Sequence, residues 1–110
     1  MASLRSLDPR AYPIAQAFVA LLERAGVSVT VTSTRRDLDQ QARLYAAYKA
    51  GRSKYPAAPP GQSTHGLGIA FDLHLDPPVY AAAGALWERI GGTWGGRFDD
   101  EIHFDFRGLL

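Results

Sequence analysis

The chain has 110 residues, of which 46% are hydrophobic and 21% charged, and a formal net charge of +1. This length sets the expectation of one small domain over residues 1–110, and the ordinary composition excludes a fibrous or disordered chain. The absence of cysteine excludes disulfides, thiolate metal ligands and cysteine nucleophiles, while the scattered basic residues give no footprint for nucleic acid or an anionic membrane.

Met1 to Arg10 lacks the apolar stretch of a signal peptide, and no segment is long and apolar enough to span a bilayer. A first helix is expected with Asp8 as N-cap, Pro9 at its first position, and Ile14, Phe18, Leu21, Leu22 and Ala25 on its apolar face. Gly26 suits a left-handed stop, and Val27, Val29 and Val31 then alternate with polar residues as a half-buried strand. Asp37 with Gln40 reads as a capping box for a second helix, with Leu38, Ala42, Tyr45 and Tyr48 near one face and Gly51 at its end. Lys54 to Thr64 holds Pro56, Pro59, Pro60 and Gly61, so it is a loop. It runs straight into His65 and is expected to wall whatever site that residue serves.

Gly68 to Leu75 alternates as a strand, with Ile69, Phe71, Leu73 and Leu75 on one face and Ala70, Asp72 and His74 on the other. A third helix is expected from Pro78 to Ile90, a turn at Trp94-Gly95-Gly96, and a last strand from Ile102 to Phe106. Helices and strands mix without regular βαβ alternation, so the expected class is α+β, a small antiparallel sheet flanked by about three helices.

Two of the three histidines sit in phrases suited to a metal. His65 opens a segment that ends in Asp72, and His103 follows Asp100 and Glu101. A catalytic zinc site takes three nitrogen or oxygen ligands and keeps a fourth position open, which leaves a second carboxylate to act as a base. Asp72 lies mid-strand opposite four apolar residues, where a carboxylate needs a partner. Gly66 and Gly68 would let the backbone fold tightly enough for His65 to reach it. His103 shares its strand face with Glu101 and Asp105, so neighbouring strands would unite these polar faces. The plainer reading is a solvated Asp72, a surface His65 and a satisfied, partly buried His103. Spacing alone leaves His74 as a competing ligand. It also leaves Asp99, Asp100, Glu101 and Asp105 as candidate bases, with periodicity favouring Glu101.

Ser63-Thr64-His65-Gly66-Leu67-Gly68-Ile69-Ala70-Phe71-Asp72 resembles the Ser-x-His-x-x-Gly-x-Ala-x-Asp signature of zinc peptidases that cut bacterial peptidoglycan stems. These are the D-alanyl-D-alanine carboxypeptidases of VanY type, the vancomycin-resistance dipeptidases and the phage L-alanyl-D-glutamate endopeptidases, with a Hedgehog/DD-peptidase fold. Asp100-Glu101-Ile102-His103 is similar to the family's closing acid-x-x-His motif. Trp94-Gly95-Gly96 is similar to a turn of the endopeptidase branch. Thr32-Ser33-Thr34-Arg35-Arg36, with Gln41, is similar to its upstream Thr-Ser-x-x-Arg segment. The resemblance runs from about Val29 to Phe106.

It implies His65, Asp72 and His103 as zinc ligands, Asp100 as general base, and Arg36 as the arginine that binds a substrate carbonyl or carboxylate. Arg35 departs from the family, and which arginine enters the site is left to the fold. His74 has no counterpart. Gln62 and Ser63 lie beside the first ligand as substrate contacts, and Trp94 is either a cleft wall or a packed core residue.

The expected activity is zinc-dependent hydrolysis of stem peptides, with Trp94-Gly95-Gly96 tilting it to an endolysin-like L-alanyl-D-glutamate endopeptidase. The alternatives are a D-alanyl-D-alanine carboxypeptidase and a non-catalytic, zinc-containing cell-wall-binding module. Retention of every catalytic residue type argues against the module. The expected partner is peptidoglycan, without nucleic acid or membrane insertion, for a monomer acting at the bacterial cell wall. With no signal peptide, it would arrive there by lysis, in a virion, or as a domain trimmed from a longer chain.

Overall fold

The computed structural model describes residues 2–59 and 61–109; Met1, Leu110 and Pro60, one of the loop prolines, lie outside the described residues. Three helices, α1 (Tyr12–Arg24), α2 (Leu38–Lys49) and α3 (Tyr80–Ile90), accompany four strands, β1 (Thr30–Ser33), β2 (Ala70–His74), β3 (Thr93–Trp94) and β4 (His103–Asp105). The strands form one antiparallel sheet in the order β1-β2-β4-β3, which is the α+β class expected. Among the described residues, no helix is long and apolar enough to cross a membrane.

The first helix begins later than its capping signal suggests. Asp8 closes a turn, accepting from the Arg10 N–H at 2.8 Å, and α1 starts at Tyr12 with Pro13 in its first turn. A helix begun at Pro9 would carry Pro13 in its interior, where proline lacks the N–H and clashes with the preceding turn. The buried face of α1 is Ala15, Phe18 and Leu22, with Leu21 and Ala25 exposed. The α2 start is as expected: Asp37 and Gln40 form the reciprocal capping box. Its apolar face is not buried, however. Leu38 is 65% exposed, and Gln41 is the one buried residue of that helix.

α1 and α3 cover one face of the sheet. Phe18, Phe71, Trp87 and Phe104 interlock there, with Phe71 stacked on Phe104 at 5.7 Å and Phe18 tilted against Trp87 at 4.9 Å. Each such side chain stabilises the fold by roughly 1.5–3 kcal/mol through its burial. The Trp87 indole N–H donates to the Asp105 carbonyl at 2.8 Å, and the Tyr80 hydroxyl donates to the Leu73 carbonyl, fastening α3 to β4 and β2.

Trp94 belongs to this core side as well. It is 8% exposed, its indole N–H donates to the Glu101 carbonyl at 2.9 Å, and its ring fills the space a Cβ would occupy at Gly84 and Gly96. The cleft-wall reading of Trp94 is therefore corrected to the packed one. The expected turn also lies one residue later, because Trp94 pairs opposite Phe104 in β3 and the chain turns over Gly95–Phe98.

The sheet's other face carries the polar residues. Register sets Asp72 directly across from His103 on β4 and from Ser33 on β1. The β1 pairing shifts between Val31 and Ser33, so one extra residue there breaks simple alternation and changes which side chains face Asp72.

Candidate active site

Every buried polar residue among those described, namely Thr34, Gln41, Ser63, His65, Asp72, His103 and Asp105, gathers at one place on the polar face of the sheet. Each has a hydrogen-bond partner, as burial requires.

His65 sits in two tight turns, with Gly68 N–H bonded to the His65 carbonyl at 3.1 Å and Ile69 N–H to the Thr64 carbonyl at 3.2 Å. Gly68 has φ +75, and its missing Cβ leaves room for the Arg35 guanidinium. Glycine is thus required at 68, whereas Gly66 takes no positive φ. Ser63 Oγ accepts from the His65 N–H at 3.1 Å, which fixes the residue's entry into the site.

His65, Asp72 and His103 each offer one ligand atom, all within 4.8 Å of one another. The remaining polar atom of each is held from behind. The Thr34 carbonyl, which can only accept, takes the proton on His65 Nδ1 at 2.7 Å and turns Nε2 toward Asp72 Oδ1 at 3.1 Å. Asp105 binds His103 Nε2 at 2.7 Å, which turns Nδ1 toward Asp72 Oδ1 at 3.7 Å. Arg36 donates to Asp72 Oδ2 at 2.8 Å. This leaves two imidazole nitrogens and one carboxylate oxygen converging, a donor set suited to a divalent metal with its ring orientations fixed by outer partners. His74 lies at the exposed end of β2 opposite Thr30 and is not in this group.

Asp72 would be raised by burial alone, but the imidazoles of His103 and His65 and the Arg36 guanidinium beside it hold it well below the usual carboxylate range. Burial likewise opposes charge on His103, yet its bonds to Asp105 and Asp72 push it up to about 9. Asp105 falls to about 2, with the Arg107 and His103 hydrogen bonds overcoming its burial.

The carboxylates around His103 thus favour its protonated form in the metal-free protein, and a metal must displace that proton. Zinc affinity is expected to rise about tenfold per pH unit from about 6.5 to about 9. The same proton stabilises the metal-free fold fully below the unfolded value, and that contribution is lost as pH rises through about 9. Zinc titration against a competing chelator at several pH values checks this; a flat affinity between pH 7 and 9 removes the His103 proton from the account.

The triad opens on a cleft of about 510 Å³ between the sheet and the 54–64 segment, which forms the expected wall. Gln41 holds that wall by donating to the Ala58 carbonyl at 2.7 Å. Gln62 and Ser63 line the cleft, and Trp94 does not. Arg36 is the arginine that enters; its Nε donates to Ser33 Oγ at 3.0 Å and Nη1 to Gln41 Oε1 at 3.2 Å.

Of the candidate bases, Asp100 alone lines the cleft without a side-chain partner among the described residues. Glu101 is exposed and outside the lining, Asp99 makes a left-handed turn at φ 63, and Asp105 is consumed behind His103. Burial pushes Asp100 up to about 6; His103 and Arg36 oppose this and Asp72 adds to it. Gly95 makes its placement possible, since a Cβ there would lie 2.2 Å from the Asp100 carbonyl and 2.8 Å from the His103 Cβ.

Sequence reasoning missed the Thr34 carbonyl and the Asp105 role behind His103. The shared strand face of His103 and Asp105 was the available signal for the second; nothing in the side chain of Thr34 announces the first.

A family model described as VanY, D-alanyl-D-alanine carboxypeptidase, matches residues 4–85. That span includes Arg36, His65 and Asp72. Among solved structures, a vancomycin resistance D,D-pentapeptidase VanY from a VanB-type cassette, in complex with Zn(II), has a TM-score of 0.74 and 23% identity, covering 94% of this chain and 74% of that one. The LD-carboxypeptidase LdcB has a TM-score of 0.73 and 21% identity over 92% of this chain and 65% of that one. The L-Ala D-Glu endopeptidase ChiX of Serratia marcescens has a TM-score of 0.64 and 23% identity over 96% of this chain and 86% of that one. No curated protein sequence matches the chain.

Proposed function

Because the chain belongs to the VanY family of D-alanyl-D-alanine carboxypeptidases, we propose that residues 1–110 act as one zinc metallopeptidase domain that hydrolyses peptide bonds in bacterial peptidoglycan stems. The observation that carries this reading is the convergence of His65, Asp72 and His103, each held from behind, beside a free Asp100 in one cleft. His65 Nε2, Asp72 Oδ1 and His103 Nδ1 would hold the zinc. When bound there, zinc supplies a Lewis acid that polarises a carbonyl and makes water a nucleophile near neutral pH.

The chain's own residues do the rest. Asp100, ionised above about pH 6, takes the proton of the attacking water and returns it to the leaving amine. Arg36 spends three of its five N–H groups on Asp72, Ser33 and Gln41. The remaining two are available to the substrate carbonyl as it gains charge. Gln62 and Ser63 contact the peptide along the wall.

For the bond that is cut, we favour L-alanyl-D-glutamate. The support for this is the similarity of Trp94-Gly95-Gly96 to a turn of the endopeptidase branch. The family match supports terminal D-alanine instead. Digestion of purified peptidoglycan by the zinc-loaded protein, read by mass spectrometry, is expected to release new N-terminal D-glutamate. Free D-alanine would establish the carboxypeptidase, and binding without cleavage would establish a non-catalytic module.

A further inference from the structure

The cleft carries a second guanidinium that neither the metal triad nor the proton transfer uses. Arg107 lies two residues past β4 and lines the same cleft. Its Nε and Nη2 donate to Asp105 Oδ1 and Oδ2 at 3.0 and 2.6 Å, and Nη1 has no protein partner among the described residues. The Asp105 side chain is fully buried, whereas that of Arg107 is 49% exposed. The fork is therefore anchored at its base and open at its tip.

Asp105 Oδ2 also binds His103 Nε2 at 2.7 Å, so a single carboxylate oxygen separates the guanidinium from a candidate metal ligand. Arg107 also stands over the Phe98 ring at 5.8 Å, two residues before Asp100. It thus lies on the wall that carries the proton donor to the leaving amine. Arg36, by contrast, keeps only one N–H on each Nη, already given above to the substrate carbonyl, and its side chain is 16% exposed.

We propose that Arg107 is a substrate-binding residue that recognises a free carboxylate on the residue leaving with the new amine. The proposal rests on the peptidase reading and names its substrate class, peptides with an acid immediately beyond the scissile bond. An arginine pre-ordered by a buried acid loses little freedom when it pairs with a second carboxylate. That carboxylate has two possible sources, the C-terminus of a terminal D-alanine or the free carboxyl of a D-glutamate.

The test uses two pairs of synthetic peptides, each as free acid and as amide at that one carboxyl. One pair ends in D-alanyl-D-alanine, the other contains L-alanyl-D-glutamate. With the zinc-loaded parent, the acid of one pair is expected to be favoured about tenfold or more in kcat/KM, carried by KM. In Arg107→Gln that preference should fall to within about twofold at unchanged zinc content, and Arg107→Lys should recover part of it. The pair that responds identifies the source. Equal losses on acid and amide, with the parent preference intact, would mean that Arg107 only orients Asp105 and would overturn the proposal. If the parent cleaves neither pair, the peptidase reading fails separately. Calorimetric binding of acid and amide to parent and Arg107→Gln then decides the role of Arg107, with equal affinities of the parent for the two forms overturning it.

Discussion

Asp100→Ala is expected to lose about 10²–10⁴-fold in turnover while keeping the parent's fold and zinc content. The loss follows from geometry. Asp100 lines the cleft beside His65, Asp72 and His103, and its side chain has no hydrogen-bond partner among the described residues. Its pKa reflects burial and neighbouring charges, with no hydrogen bond contributing. A carboxylate so placed is free to accept a proton from water, and burial holds it near the pH at which it must do so.

The same lack of partners explains why the fold should survive. Truncation orphans no donor, and the backbone bonds that shape the turn, Asp100 N–H to the Gly95 carbonyl at 2.8 Å and His103 N–H to the Asp100 carbonyl at 3.0 Å, do not need the side chain. Parent activity should fall as pH drops through about 6, where Asp100 takes up a proton. Metal analysis together with stem-peptide kinetics makes the comparison. A zinc-loaded variant turning over at the parent rate would pass the base role to another group.

His103→Ala should behave in the opposite way, losing the metal first. In the parent, zinc at about 100-fold over its Kd is expected to raise unfolding stability by about 2.7 kcal/mol, because it binds the folded chain. In His103→Ala that increment should vanish, and turnover with it, since two ligands remain where three converge.

The metal-free variant should also be weakened, by roughly 1–3 kcal/mol, because Asp105 loses a buried hydrogen-bond partner and Asp72 the imidazole 3.7 Å away. Arg107 and Arg36 still pair with those two carboxylates, which keeps the cost below that of a fully orphaned buried charge. Denaturation with and without zinc separates the two contributions. An unchanged zinc increment in the variant would remove His103 from the metal.

Much of this site is legible along the chain because its residues fall on the polar side of alternating strands. Asp72 opposite Phe71 and Leu73, and His103 opposite Phe104, are placed by the two-residue period alone, and the burial of those neighbours follows it. The capping box at Asp37 and the left-handed glycine at 26 are equally local, and both appear where expected. The choice of Asp100 over Glu101 was not legible by periodicity. The chain between Gly95 and His103 is a turn, and strand alternation does not extend into it.

What the sequence determined by itself is therefore the class of fold, the polar faces and the residue types able to hold a metal. Backbone period and turn chemistry act over a few residues and need no tertiary partner. Only the tertiary structure decided which ring nitrogen each histidine presents, that Arg36 rather than Arg35 turns inward, and that Trp94 fills the core. Those outcomes depend on the register of β2 against β4, on the β1 bulge that brings Ser33 opposite Asp72, and on a carbonyl from Thr34. They are contacts between distant segments, and no local pattern encodes them.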